Sequence, residues 1–259
     1  VYPMIKLAKG TSLWGRDYLA AGILVGLLFA AEFFLVAQAL RFTSAAHTVV
    51  LLYTAPIFVA LGLHWKLPAE RLSLIQWLGI ACAFFGIVIA FLFRPAVSQA
   101  AASSALWGDV LALLAGVLWA ATTIAVRLTK LAEAPATQTL FYQLFIAFLV
   151  LFPAAFFMGQ ATIHWSVLSL TSLLFHTVVV SFASYLIWFW LLKKYLASQL
   201  GVFSFLTPIF GMCFGVVLLN EQLELNFLVG TCFVLMGVVA VSLHHKIKQY
   251  AQAFKVALQ

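Results

Sequence analysis

Eight apolar runs of about twenty residues, set apart by short connections, decide what this chain can become. A helix of that length spans the roughly 30 Å hydrocarbon core of a bilayer. The runs cover residues 18–41, 45–64, 73–93, 105–126, 137–158, 167–192, 197–219 and 226–244. They lack the alternation over about ten residues that marks a barrel strand. Composition closes the other routes, because 65% of the residues are hydrophobic and 8% charged, against about 25% charged in a soluble domain. Disorder needs the opposite balance. The fold class is therefore all-α, a polytopic membrane protein whose surroundings are the lipid bilayer. No connection is long enough for a separate soluble domain. Residues 244–259 read as a basic, amphipathic interfacial helix.

The few charges set the orientation. Eight spans return the chain to the side on which it started. On that side fall Lys6, Lys9, Arg16, Lys66, Arg71, Arg127, Lys130, Lys193, Lys194, Lys246, Lys248 and Lys255, and on the other only Arg41 and Arg94. Basic residues concentrate in cytoplasmic loops, so both termini present are expected in the cytoplasm. The formal net charge of +7 is thereby explained without a nucleic-acid partner. The loop 220–225, with Glu221 and Glu224, is expected to face outward. Cys82, Cys213 and Cys232 lie inside apolar runs and form no redox or metal-ligand spacing. No cofactor and no metal is expected.

Self-similarity says more. Leu40–Phe58 resembles Leu192–Phe210: Leu40 matches Leu192, Ala45 matches Ala197, and Pro56-Ile57-Phe58 matches Pro208-Ile209-Phe210, at an offset of 152. Downstream the offset is 151, pairing Glu70 with Glu221, Leu72 with Leu223, Gly79 with Gly230 and Gly86 with Gly237. The charge distribution puts the Glu70 loop inside and the Glu221 loop outside, so the two copies have opposite orientation. Inverted repeats of this kind permit alternating access in transporters. The second copy starts near Trp107 and runs through five helices, whereas the first shows three. Two further helices are therefore expected upstream, making eight helices of ten in two inverted-topology five-helix repeats. Residues 1–98 are read as the later part of the first repeat. Residues 99–259 are read as the second repeat with its cytoplasmic basic tail.

With these motifs the chain resembles the drug/metabolite transporter superfamily, in its EamA-type branch of ten-helix bacterial carriers. The resemblance rests on Thr43-Ser44-Ala45-Ala46, Pro56, Glu70 and Gly79 in one copy. In the other it rests on Ala197-Ser198, Pro208, Asn220-Glu221 and Gly230, with Gly108-Asp109 and Trp119-Ala120 at the opening. The Gly-Glu usual in that family stands here as Ala69-Glu70 and Asn220-Glu221. The resemblance implies a bacterial inner-membrane protein moving small solutes, amino-acid-like metabolites or drugs, often outward.

Glu32 is the sharpest candidate residue, a carboxylate in mid-span with no basic residue within a helical turn. A charge at a helix centre costs about 2.5–3.5 kcal/mol on insertion scales, and such groups mark pathways and proton relays. Proton coupling or binding of a substrate amine is its expected role. His47, with Tyr53 and Thr54 farther along the same span, either lines a cavity or sits at the headgroups. His176 reads as an interhelical hydrogen bond or a ligand contact. Pro56 and Pro208 deprive the carbonyls of Leu52 and Ser204 of their helical partners. Paired broken helices near the midplane are a sequence pointer to a transporter site. Ser204, Thr207 and Pro208 share a face with Gly211 and Gly215. Trp119, Tyr142, Tyr185, Trp188 and Phe205 offer stacking or cation–π surfaces, and Gln143 offers polar lining. The pairs Gly22–Gly26 and Gly211–Gly215 read as helix-packing sites. Asp109 reads as favourable helix-start chemistry. For Glu70 and Glu221 a structural helix-start role is favoured over gating.

Three other classes compete with a carrier. An intramembrane enzyme lacks support, because neither a zincin HExxH nor a GxSxG turn is present. A haem protein needs ligands such as His47 and His176. A scaffold leaves the repeat unexplained. The expected protein is a non-enzymatic exporter of small solutes working by alternating access, with proton coupling or exchange as its drive.

Overall fold

The computed structural model describes residues 16–66, 72–92, 99–162, 164–184, 187 and 206–240. Regular structure among them is entirely helical. The helices are α1 (Arg16–Ala39), α2 (Ala45–Leu52), α3 (Ala55–Lys66), α4 (Leu74–Leu92), α5 (Gln99–Leu128) and α6 (Ala136–Phe157). α7 (Val167–Leu174) continues as a π-helical run over Phe175–Ser184, and α8 (Leu206–Leu219) precedes α9 (Leu225–Ala240). Among the described residues every expected span includes helix, α2 and α3 together making the second. The segments Tyr18–Ala39, Ala45–Lys66, Ser103–Leu128 and Thr137–Phe157 have 22, 22, 26 and 21 residues, enough for about 30 Å of hydrocarbon.

Local chemistry fixes most ends. Ser44 caps α2 by accepting the His47 N–H at 3.1 Å. Ser73 and Gln76 form a reciprocal cap on α4, the Ser73 N–H donating to Gln76 Oε1 at 3.0 Å and the Gln76 N–H to Ser73 Oγ at 3.4 Å. α6 closes on Gly159 at φ +67°, whose turn lets the Gln160 N–H reach the Ala155 carbonyl at 2.9 Å. α8 closes likewise on Asn220 at φ +52°, with the Glu221 N–H donating to the Gly215 carbonyl at 3.1 Å. One start differs from expectation. α5 is already helical at Gln99, ahead of the apolar run at 105, so Asp109 lies well inside the helix. Its carboxylate is therefore not helix-start chemistry.

In lipid the hydrophobic effect does not hold helices together; close packing over small residues and interhelical hydrogen bonds do. A Cβ at Gly22 would stand 2.5 Å from the Tyr142 ring, and one at Gly26 2.5 Å from Ile146, so α1 and α6 run parallel in contact. α1 and α5 are antiparallel: Thr43 meets Asp109 at one end, and Ala21 packs with Leu131 at the other. α2–α3 lies parallel to α5, with His47 at Asp109, Leu52 at Gly116 and Gly62 at Ile124. α8 packs on α2 through Gly211 against Val49 and Gly215 against Ala46. Both GxxxG pairs are thus packing sites.

Among the described glycines the closest approach joins α4 and α9. A Cβ at Gly86 would lie 2.4 Å from the Gly230 carbonyl oxygen, and one at Gly237 2.3 Å from that of Gly79. The contact is antiparallel and reciprocal, and its glycines are those that match in the two copies. The core around it includes Ile80, Ala83, Ile87, Phe227, Val234 and Val238, with Ala39, Ala46, Val50, Leu51 and Ile57. Outward side chains such as Trp77, Leu78, Phe85, Phe148 and Phe152 are exposed and apolar, which suits a lipid-facing surface and not a wet one.

Candidate functional site

The second span is interrupted at half its length. α2 ends at Leu52, Tyr53 and Thr54 form a turn, and α3 restarts at Ala55. Pro56 has no N–H to return to Leu52. Thr54 relieves the break locally: its hydroxyl donates to the Leu51 carbonyl at 2.6 Å, and the Ile57 N–H donates to the Thr54 carbonyl at 2.9 Å. The carbonyls of Leu51 and Leu52 face Gly116 of α5, where an added Cβ would stand 3.1 and 3.0 Å from them. Discontinuous backbone at membrane depth is tolerated where protein or a cavity covers it. Gly116 gives that cover the necessary room.

Beside the break, Tyr53 meets Trp119 edge to face with ring centroids 5.1 Å apart. Glu32 lies at the same depth. Counting along antiparallel α1 and α5 from the Thr43–Asp109 contact, Glu32 and Trp119 are each about 15 Å from that end. Glu32 shares the buried face of α1 with Ala21, Val25 and Ala39 and is 5% exposed. Its Oε2 has no hydrogen-bond partner among the described residues. A buried carboxyl, an aromatic pair and a helix break therefore come to one level of the bundle.

His47 sits elsewhere, at the end that carries Arg41. Its Nδ1 lies 3.2 Å from Asp109 Oδ2, and its ring stacks on Phe227 of α9 at 3.8 Å. The other Asp109 oxygen accepts the Thr43 hydroxyl. Asp109 is 1% exposed, and a buried carboxylate needs such partners. Next to it Glu221 reaches α2: Oε1 accepts the Ala45 N–H at 2.7 Å and Oε2 the Ala46 N–H at 3.0 Å. Glu221 has the expected helix-start role, but for α2 rather than for the helix that follows it.

The remaining candidates scatter. Tyr142 is buried over Gly22 in the α1–α6 packing, and Gln143 is half-buried on α6. His176 is exposed on the π-helical run, with Nδ1 3.0 Å from the Ser172 carbonyl of its own helix, whereas His47 pairs with Asp109 and Phe227. Thr207 and Pro208 lie on α8, Pro208 buried and Thr207 half-buried. Tyr185, Ser204 and Phe205, with Trp188 and Glu70, lie outside the described residues.

Span-length helices with apolar outer faces, one of them broken level with a buried carboxyl, define a multi-pass membrane protein of carrier type. The chain belongs to the EamA-like transporter family, whose model matches residues 2–92 and 106–243. It is similar to an uncharacterized transporter, YoaV, of Bacillus subtilis, with 24% identity over 86% of this chain and 74% of the relative. An uncharacterized transporter of Archaeoglobus fulgidus is 26% identical over 86% of this chain and 76% of its own length. One from Synechocystis is 30% identical over 91% and 73%. No solved structure matches the chain. The protein is thus a membrane transporter, and its partners are the bilayer and a small-molecule solute.

Proposed function

We propose that the protein exports amino-acid-like solutes or drugs across the bacterial inner membrane by alternating access, as a carrier and not an enzyme. Residues 1–98 and 99–259 act as two inverted repeats with the solute held between them, and both termini present face the cytoplasm. The observation that carries this reading is Glu32, buried in mid-span with Oε2 unpartnered, level with the Tyr53–Thr54 break and Trp119. A neutral acid is tolerated there and an isolated carboxylate is costly, so the group is suited to exchange a proton for the amine of a solute. The reciprocal Gly86–Gly230 and Gly237–Gly79 contacts fit a two-fold relation between the halves.

The experiment is a thermal-shift panel of amino acids, amines and cationic drugs on the purified chain, followed by proteoliposome flux of the stabilising compound. Flux is expected to rise with an imposed pH gradient. Glu32→Gln is expected to abolish that dependence and lower flux at least about tenfold, the scale of a coupling of about 1–3 kcal/mol between proton and solute binding. Gradient-dependent flux retained in Glu32→Gln removes the coupling role.

A further inference from the structure

Two carboxylates at the Arg41 end, Asp109 and Glu221, have no part in the solute site proposed above. Both reach across the chain to one short element. α2 has eight residues and is separated from α3 by the Tyr53–Thr54 break. Helix starts are ordinarily capped by their own flanking residues, as the His47 N–H is by Ser44. The Ala45 and Ala46 N–H groups instead bond Glu221, a residue 176 and 175 positions away. The turn leading into α2 is held by Asp109 through the Thr43 hydroxyl, and its first turn through His47 Nδ1. Phe227 closes over the His47 ring. Apart from the local cap by Ser44, the described side chains that grip this end of α2, Asp109, Glu221 and Phe227, all come from residues 99–259.

Room has been left for the grip. A Cβ at Gly215 would stand 2.5 Å from Glu221 Oε2, so any other residue forces that oxygen to shift from its place at the Ala46 amide. Asn220 at φ +52° provides the turn that sends Glu221 back toward α2. These bonds are charge-assisted where a carboxylate meets backbone N–H groups, and each is lost outright when the two parts separate.

We propose that Glu221 and Asp109 are a clasp that keeps the Arg41 end of the carrier shut, and that its release lets α2 swing at the Tyr53–Thr54 break to open the solute site outward. The clasp rests on the alternating-access reading and on the orientation given above. Its components are positioning groups: they touch α2 and its entry turn, not the solute.

The test uses the full chain with Cys82, Cys213 and Cys232 replaced by Ala or Ser and Tyr53→Cys as reporter. A membrane-impermeant methanethiosulfonate is applied to right-side-out and to inverted vesicles. The parent is expected to react slowly from outside and faster from inside. Glu221→Gln, Gly215→Ala and Asp109→Asn are each expected to raise the outside rate at least about fivefold and to lower the inside rate, as a population shift requires. Glu221→Asp is expected to stay near the parent. Gly215→Ala keeps every charge, so it answers the question if a carboxylate variant fails to fold. Unchanged outside rates overturn the clasp. So do rates that rise on both faces, which mark a structural cap whose loss loosens the bundle. A parent reporter reached from neither face defeats the alternating-access reading itself, a separate result.

Discussion

At the scale of single residues, Asn220 explains a departure from the family pattern. It occupies φ +52°, where a side chain with Cβ costs about 1–2 kcal/mol and where Gly, then Asn, is favoured. Asn for Gly before Glu221 thus preserves the turn. Asn220→Gly is expected to leave the thermal midpoint in detergent unchanged. Asn220→Val is expected to cost about 1–2 kcal/mol there, because a β-branched residue suits the left-handed region least. Asp109 gives a second prediction. Its carboxylate serves Thr43 and His47 while 1% exposed. Asp109→Ala is expected to lower stability by about 1–3 kcal/mol for each buried group that loses its bond, read as a drop in thermal midpoint. Asp109→Asn, which keeps an acceptor oxygen, is expected to lose less. The sequence showed the acid but not its task. Its partners lie 66 and 62 residues away, and only packing decides such a pairing.

Helices were more legible than the contacts between them. Span length and hydropathy are local properties, and the described parts of the eight runs are helical apart from the Tyr53–Thr54 turn and a few terminal residues. Pro56 announced the break near Tyr53, because a missing N–H is a local fact too. The start of α5 was obscure, since Ala and Ser from residue 100 to 105 extend a helix without marking where the apolar run begins. The π-helical run at Phe175–Ser184 contains neither Pro nor Gly to signal it. Gly79, Gly86, Gly230 and Gly237 were readable as repeat markers, but not as one interface. Their packing now supports a prediction. Gly86→Ala and Gly237→Ala place a methyl 2.4 and 2.3 Å from backbone oxygens of the facing helix, and backbone cannot rotate aside. Each is expected to destabilise by about 1–3 kcal/mol, checked by thermal unfolding in detergent. Gly159→Ala meets nothing within 4 Å, so only its φ of +67° costs, about 1–2 kcal/mol.

For the whole molecule, the charges and the helix directions together make the orientation testable. Ala21 on α1 packs with Leu131 beyond α5, which brings Arg16, Arg127 and Lys130 to one end. Gly62 against Ile124 carries α3 alongside α5, so Lys66 joins them. The opposite end holds Arg41 with Asp109, Glu221 and Glu224. Among the described residues four basic ones stand against one, the asymmetry that retains a loop in the cytoplasm, and acids contribute little to it. The Lys130 end is therefore expected inside and the Glu221 loop outside. Gln222 and Glu133 are exposed at the two ends, so a cysteine at either reports its side without disturbing packing. In the background without native cysteines, Gln222→Cys is expected to react with an impermeant maleimide in intact cells. Glu133→Cys is expected to react only after permeabilisation or in inverted vesicles. The reverse pattern inverts the orientation, and with it the side that Asp109 and Glu221 close; protection of both positions from both faces instead means that neither loop reaches water. Because the clasp and the solute site share α2, this measurement also decides whether the short helix opens toward the medium or toward the cytoplasm.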